Sequence, residues 1–98
     1  MTERAAPSPA MYRQLRLCSG GGGFEAVPTR SLGLDLRRVR DRLEASGIPV
    51  VDARVVLIAS MEVEVTVSRA GRLLFKTPDE GTAARAFERV LPLLGLGT

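Results

Sequence analysis

The sequence contains no histidine and no tryptophan, and Cys18 is its only cysteine. A single cysteine cannot form an internal disulfide or a multi-cysteine zinc site within one chain. The lack of histidine excludes a serine–histidine triad and every histidine-ligated metal site. We therefore expect that the chain is not an enzyme and that it binds no metal and no other cofactor.

Long hydrophobic runs are also missing. No stretch of about 18 consecutive apolar residues is present, which is the length that a transmembrane helix needs. Residues 1–10 (MTERAAPSPA) are small, polar and proline-containing, and they lack the apolar segment of a secretion signal. We expect a cytoplasmic protein with a disordered tail over residues 1–10, a single domain over residues 11–95 and a short tail over residues 96–98.

The composition that remains is ordinary for a small globular domain of 98 residues, with 45% hydrophobic and 26% charged residues. The net charge is +3, and every basic residue except Lys76 is an arginine. Arginines cluster in one short segment, at positions 37, 38, 40 and 42, together with Asp41 and Glu44. On a helix these arginines spread around the axis, which favours a solvated amphipathic helix over a patch for nucleic acid.

Hydrophobic periodicity and capping signals predict four strands and two helices. The predicted strands cover residues 12–18, 50–59, 62–68 and 72–76. The first helix begins after the N-cap Asp35 and ends before Gly47, and the second begins with a capping box in which Thr77 is the N-cap. The order β-α-β-β-β-α predicts an α+β, two-layer fold, with both helices on one face of a four-stranded, mainly antiparallel sheet.

Two short segments have both a chemical and a structural interpretation. Residues 19–23 (SGGGG) could cradle a phosphate, but no lysine follows and no helix opens there. We favour a connector, followed by a loop over residues 24–33. Cys18 could act as a nucleophile or acceptor in thiol chemistry, but no histidine is available to activate it, so we favour a structural role.

The outer face of the sheet is the most informative predicted surface. If Val55, Leu57, Leu73 and Phe75 face the helices, strand alternation places Val56, Ile58 and Leu74 on the opposite face. The charged residues expected around them are Arg54, Arg72, Lys76, Glu62 and Glu64. An apolar centre with a charged rim is typical of a surface for a protein partner or a homodimer. The residues that we predict to bind the partner are Arg54, Val56, Ile58, Leu74 and Arg72.

An alternative is that the second predicted strand is bulged or covered at its edge, in which case no such apolar patch exists. The sequence pattern alone does not decide between these two interpretations.

Several short motifs occur in a fixed order along the chain. They are Cys18 at a strand end, Leu34-Asp35-Leu36, Glu64-Val65-Thr66-Val67, Gly71-Arg72, Lys76 and Ala84-Arg85. In their order and approximate spacing they resemble the C-terminal appendage domain of ThiF/MoeB-type adenylyltransferases, which activate ubiquitin-like sulfur carrier proteins. The zinc ligands of those enzymes are reduced to Cys18 here, and their adenylation domain has no counterpart. The resemblance implies a non-catalytic protein-interaction or accessory module, associated with a system that activates a ubiquitin-like or sulfur carrier protein.

The same order of elements also resembles one half of a TATA-box-binding protein, which grips the DNA minor groove with its open sheet. This resemblance implies a nucleic-acid-binding domain as the alternative function. We consider it second, because Glu62 and Glu64 on the sheet would repel phosphate and because alternation turns Phe75 inward.

Overall fold

The computed structural model describes residues 12–13, 15–17 and 22–94. Cys18, residues 19–21 and both predicted tails lie outside the described residues. The helices are α1 (Leu36–Ala45) and α2 (Glu80–Val90), and a 3₁₀ helix over Leu91–Leu94 follows α2. The strands are β1 (Arg16–Leu17), β2 (Phe24–Ala26), β3 (Val50–Asp52), β4 (Val56–Ser60), β5 (Glu64–Ser68) and β6 (Leu73–Phe75).

All strands belong to one antiparallel sheet with the order β1-β2-β6-β5-β4-β3. Helix α1 packs against β3 and β4, and α2 packs against β2 and β6 on the same face. The predicted α+β fold with an antiparallel sheet and two helices is therefore confirmed. The predicted number of four strands is wrong, because the described part of the chain forms six.

The segment 50–59 forms a hairpin of β3 and β4 instead of the single strand that was predicted. At its turn, Val55 N donates to the carbonyl oxygen of Ala53 at 2.9 Å, and Arg54 between them has a φ of +75°. This is a γ-turn in the left-handed region, a conformation that is strained for a residue other than glycine. Val55 was predicted to face the helices, but because it lies in this turn it is 75% exposed.

The predicted loop over residues 24–33 begins with a strand, β2, which joins the sheet beside β6. Phe24 and Ala26 face the core, and Phe24 lies opposite Phe75 across the strand pair. Gly23 allows this approach, because a Cβ at that position would lie 2.6 Å from the carbonyl oxygen of Phe75. A three-residue strand carries too little alternation to be recognised in the sequence.

Helix α1 begins and ends where the sequence predicts. Oδ1 of the N-cap Asp35 accepts hydrogen bonds from the backbone N–H groups of Arg37 and Arg38, at 3.1 and 3.4 Å. Gly47 follows the helix with a φ of +81°. The helix buries one face against the sheet, made of Leu36, Val39 and Leu43.

Helix α2 begins two residues later than the predicted capping box. Its N-cap is Asp79, whose Oδ2 accepts a hydrogen bond from Thr82 N at 2.8 Å. This bond and a second one from the Thr82 hydroxyl lower the pKa of Asp79. Thr77, the predicted N-cap, instead accepts a hydrogen bond from Asp79 N at 3.1 Å. The helix therefore uses the aspartate as its cap, while the threonine shapes the turn before it.

The hydrophobic core lies between the helices and the inner face of the sheet. The largest fully buried side chains come from both layers, and they are Phe75, Leu43, Leu57, Leu73, Val39, Val65, Val67 and Val90. Tyr12 closes the core at one end, where its ring meets Phe87 edge-on with centroids 5.3 Å apart. The Tyr12 hydroxyl donates to the carbonyl oxygen of Gly71 at 2.7 Å, so this buried polar group is satisfied.

Candidate functional site

The outer face of the sheet carries a row of side chains that crosses four strands. Leu74 of β6 lies opposite Thr66 of β5, which lies opposite Ile58 of β4, which lies opposite Val51 of β3. Val51 is 61% exposed, whereas the other three are half-buried by their neighbours. Both helices pack on the opposite face, and no described helix covers this row. The row is therefore an accessible, largely apolar surface.

The three apolar residues predicted for this face occupy it. Val56, Ile58 and Leu74 are half-buried, whereas their neighbours Leu57 and Leu73 are fully buried on the inner face. An apolar patch is therefore present and partly exposed, although the second predicted strand is broken at Arg54 and β3 pairs along one edge of β4. That these residues bind a partner stays a prediction.

At one end of the row, Glu25 of β2 forms an ion-pair network with two arginines. Its carboxylate accepts hydrogen bonds from Arg72 Nη2 at 2.6 Å and from Arg16 Nε at 3.1 Å. The Glu25 side chain is only 12% exposed, whereas both arginines are mostly exposed. The hydrogen bond from Arg72 is the main cause that lowers the pKa of Glu25. Glu25 is therefore ionised at neutral pH and neutralised within the same face.

Sequence reasoning placed Arg72 at the rim of this face but did not find Glu25. The reason is that Glu25 belongs to β2, which was taken for a loop. The alternation of Phe24 and Ala26 around Glu25 was the only available signal, and it spans three residues.

Beside the row, two residues along the strands from Thr66 and Leu74, Glu64 and Lys76 form a second ion pair, with 3.7 Å between Lys76 Nζ and Glu64 Oε2. Beside this pair the face is concave, with a depression of about 420 Å³. The residues that line the depression are Gly22, Gly23, Glu64, Thr66, Leu74, Phe75 and Lys76. The surface thus combines aliphatic side chains around Ile58 with a hollow next to Leu74.

Two residues that were predicted for the rim of this face lie elsewhere. Glu62 precedes β5, and its Oε1 accepts a hydrogen bond from Arg89 Nη1 of α2 at 3.1 Å. Glu62 therefore contacts the helical layer. Arg54 lies in the β3–β4 turn and lines a cleft together with the first turn of α1. Their placement on the rim was wrong for the same reason: the strands are shorter than the alternation suggested, so these residues lie in turns, where parity no longer assigns a face. That Arg54 binds a partner stays a prediction.

The side chains of this face are aliphatic groups, hydroxyl groups such as that of Thr66, and two sets of paired charges. Within the described residues, no group of three or more His, Cys, Asp or Glu side chains could hold a metal ion. None of the described helices has the length and apolar character needed to cross a membrane.

No protein-family model matches this chain, and no curated protein or solved structure is significantly similar to it. The resemblances to the adenylyltransferase appendage and to the TATA-box-binding protein therefore stay predictions from the sequence.

Proposed function

We propose that this chain is a non-catalytic protein-binding module, that it binds through the outer face of its sheet, and that the partner on this face is a second copy of the chain. The observation that carries the proposal is the row from Leu74 through Thr66 and Ile58 to Val51, which crosses four strands without a covering helix. Aliphatic side chains in such a row release water when a second surface covers them.

The size of the face sets the strength of the expected contact. A face about five strands wide and five residues long covers roughly 400 Å², given the spacing of strands and residues in a sheet. Two copies would together bury roughly 800 Å², which is below the size of a standard stable interface. We therefore expect a weak dimer whose population depends on protein concentration.

Two features of the face favour a second copy over a strongly charged partner. The carboxylates of Glu25 and Glu64 are already paired with cations of the same face, so little net charge remains to select a partner of one sign. The face also contains both a hollow beside Leu74 and, further along the row, the aliphatic side chain of Ile58. In a two-fold dimer the same patch of both copies meets, so the aliphatic part of each copy can cover the hollow of its partner.

The association with a ubiquitin-like or sulfur-carrier activation system remains a finer part of the proposal and rests on the sequence motifs alone. The alternative, DNA bound by the open sheet, has less support. The cations of this face are already paired with Glu25 and Glu64, and Phe75 is fully buried on the inner face and cannot act as a wedge between bases.

The substitution Ile58→Glu tests the proposal, because it places a charge at the centre of the apolar row. The matched control is Val55→Glu, which adds the same charge at an exposed valine outside the face. Sedimentation equilibrium over protein concentrations from about 10 μM to about 1 mM covers the range expected for a weak dimer. We expect dimers for the parent chain and for Val55→Glu, and monomers for Ile58→Glu.

Circular dichroism and thermal melting of each variant separate loss of association from loss of fold. If Ile58→Glu does not fold, Leu74→Gln provides the same test from the neighbouring strand. A parent chain that is monomeric over the whole concentration range would refute the dimer, and a dimer that survives both substitutions would place the contact on another surface.

A further inference from the structure

A second concave region lies at the end of the sheet where two turns approach the start of α1. The turn between β3 and β4, the turn between β5 and β6, and the first turns of α1 enclose a cleft of about 750 Å³. Its charged lining residues are Asp35, Arg37, Arg40, Asp52, Arg54 and Arg69. The cleft thus gathers four arginines from three separate segments of the chain, against two aspartates.

Both aspartates of the cleft already have hydrogen-bond and ion-pair partners within the protein. Asp35 caps α1 through the N–H groups of Arg37 and Arg38, and its Oδ2 lies 3.7 Å from Arg38 Nε. Asp52 accepts a hydrogen bond from Arg54 N at 2.8 Å, and its Oδ2 lies 3.5 Å from Arg40 Nη1. Neither carboxylate pairs with the guanidinium of Arg37, Arg54 or Arg69.

These three guanidinium groups form no ion pair within the part of the chain that the structure describes. The contrast with the outer sheet face is clear, since Arg16, Arg72 and Lys76 there all contact a carboxylate. Arg40, the fourth arginine, contacts Asp41 and Asp52, but its Nε atom is buried and has no hydrogen-bond partner. The cleft therefore contains positive charge, on these three guanidinium groups, that no carboxylate of the described residues neutralises.

We propose that this cleft binds a small ligand that carries two or more phosphate groups. A guanidinium presents paired N–H groups that match two oxygens of a phosphate, and charge-assisted bonds of this kind are among the strongest in proteins. Three guanidinium groups without an ion pair among the described residues, with Arg40 beside them, exceed what one phosphate needs and suit a ligand with two. The helix end itself does not supply the site, because Asp35 already occupies its first amides.

The same cleft suits a small phosphorylated ligand better than single-stranded nucleic acid. Its volume of about 750 Å³ lies in the range of small-molecule sites. None of its lining residues is aromatic, whereas proteins that bind single strands combine basic groups with aromatic rings on which bases stack. Recognition here comes from the phosphates and not from a base.

Isothermal titration calorimetry of the full chain with inorganic pyrophosphate, at low ionic strength, tests the proposal. The double variant Arg37→Gln/Arg69→Gln removes two cations of the cleft. The double variant Arg13→Gln/Arg30→Gln removes the same charge from exposed arginines that do not line it. We expect affinity to fall at least about tenfold in the cleft variant and less than about twofold in the control. Orthophosphate should bind the parent at least about tenfold more weakly than pyrophosphate.

Amide shifts in NMR spectra locate the bound pyrophosphate, and we expect them at residues 35–37, at Arg54 and at Arg69. Equal weakening by both double variants would show that binding follows net charge, and this would overturn the proposal. So would the absence of pyrophosphate binding by the parent, or binding of a short single-stranded DNA through these arginines without binding of pyrophosphate. The outcome is independent of the proposed dimer, because Ile58→Glu leaves every lining residue unchanged.

Discussion

The two faces of the sheet are built from the same strands, but the inner face forms the core and the outer face remains partly exposed. On the inner face, Leu57, Leu73 and Phe75 are completely buried beneath the helices. On the outer face, Ile58 and Leu74 remain half-exposed, and the charged side chains beside them are paired with one another. Neighbouring residues of a strand therefore face the core and the outer surface in turn. A substitution on the inner face should change stability, whereas a substitution on the outer face should change the surface.

The largest expected difference is between the neighbours Leu73 and Leu74. Leu73→Ala leaves a cavity in the core and should lower the free energy of unfolding by about 3 kcal/mol. Leu74→Ala removes a half-exposed side chain and should lower it by less than about 1 kcal/mol. Urea unfolding at low protein concentration, where dimers do not contribute, measures both values. Equal losses would show that the outer face is as buried as the inner one.

Tyr12 in the core and Glu25 on the outer face should contribute to the free energy of unfolding with opposite pH dependence. The larger effect is expected at Tyr12. Tyr12→Phe leaves the carbonyl oxygen of Gly71 without its partner and should lower the free energy of unfolding at pH 7 by about 1 kcal/mol. Burial raises the pKa of Tyr12 from 10.0 to about 12. The unfolded chain therefore releases this proton first, and the advantage of the parent should shrink as pH rises from 10 towards 12.

Urea unfolding of parent and Tyr12→Phe at pH 7 and at several alkaline pH values measures this difference. Other groups that titrate in alkali are common to both proteins and cancel in the comparison. A difference that stays constant through the alkaline range would contradict the raised pKa.

Glu25, on the outer face, should show the opposite pH dependence with a smaller effect. Its arginine partners are mostly exposed, so Glu25→Gln should lower the free energy of unfolding by about 0.5–1 kcal/mol at pH 7. The lowered pKa of Glu25 means that its contribution is present above the ordinary value of 4.5 and is lost as pH falls through the folded-state pKa. The parent and the variant should therefore converge in acid.

The control for Glu25 is Glu64→Gln, because the Glu64 side chain is more exposed and its single ion pair is longer, at 3.7 Å. We expect a loss of less than about 0.5 kcal/mol from this change. Chemical denaturation from neutral to acidic pH gives both values, and a larger loss for Glu64→Gln than for Glu25→Gln would contradict the role of the two-arginine network.

The smallest effect on stability is expected at Thr66, the one polar side chain in the row. Thr66→Val should change the free energy of unfolding of the monomer by no more than about 0.5 kcal/mol, as for other surface changes. Because a second copy would cover this hydroxyl, its replacement by a methyl group should strengthen the proposed dimer by about threefold. Sedimentation equilibrium measures the dissociation constant. An unchanged value would show that the hydroxyl lies outside the contact, and a weaker dimer would show that the hydroxyl makes a favourable polar contact across it.

The longer elements could be predicted from the sequence because their signals are local. Helix α1 has its N-cap Asp35 and its terminal Gly47, and strand β5 alternates through Val65 and Val67. Alternation also assigned Ile58 and Leu74 to the outer face. These features depend on residues that are near one another in the chain, so a single sequence contains them.

The features that were missed depend on contacts between distant segments. Strand β2 is held in place by β6, and nothing within residues 24–26 alone indicates that pairing. The turn at Arg54 lacks the glycine or asparagine that usually marks a left-handed residue, so the break between β3 and β4 was hidden. The cleft with the four arginines is formed by three separate segments, and no spacing pattern along the chain predicts it.

The place of β2 beside β6 has a consequence for the order in which the molecule forms. Strands β3 to β6 follow one another through short connections and can pair as soon as they are made, whereas Phe24 must wait until the chain has reached Phe75. The Tyr12–Gly71 bond closes a loop of similar length. During synthesis from the N-terminus, the first strands emerge early but find their place late, since distant contacts carry the greater entropic cost. We therefore expect β1 and β2, which precede the other strands in the chain, to join the sheet last.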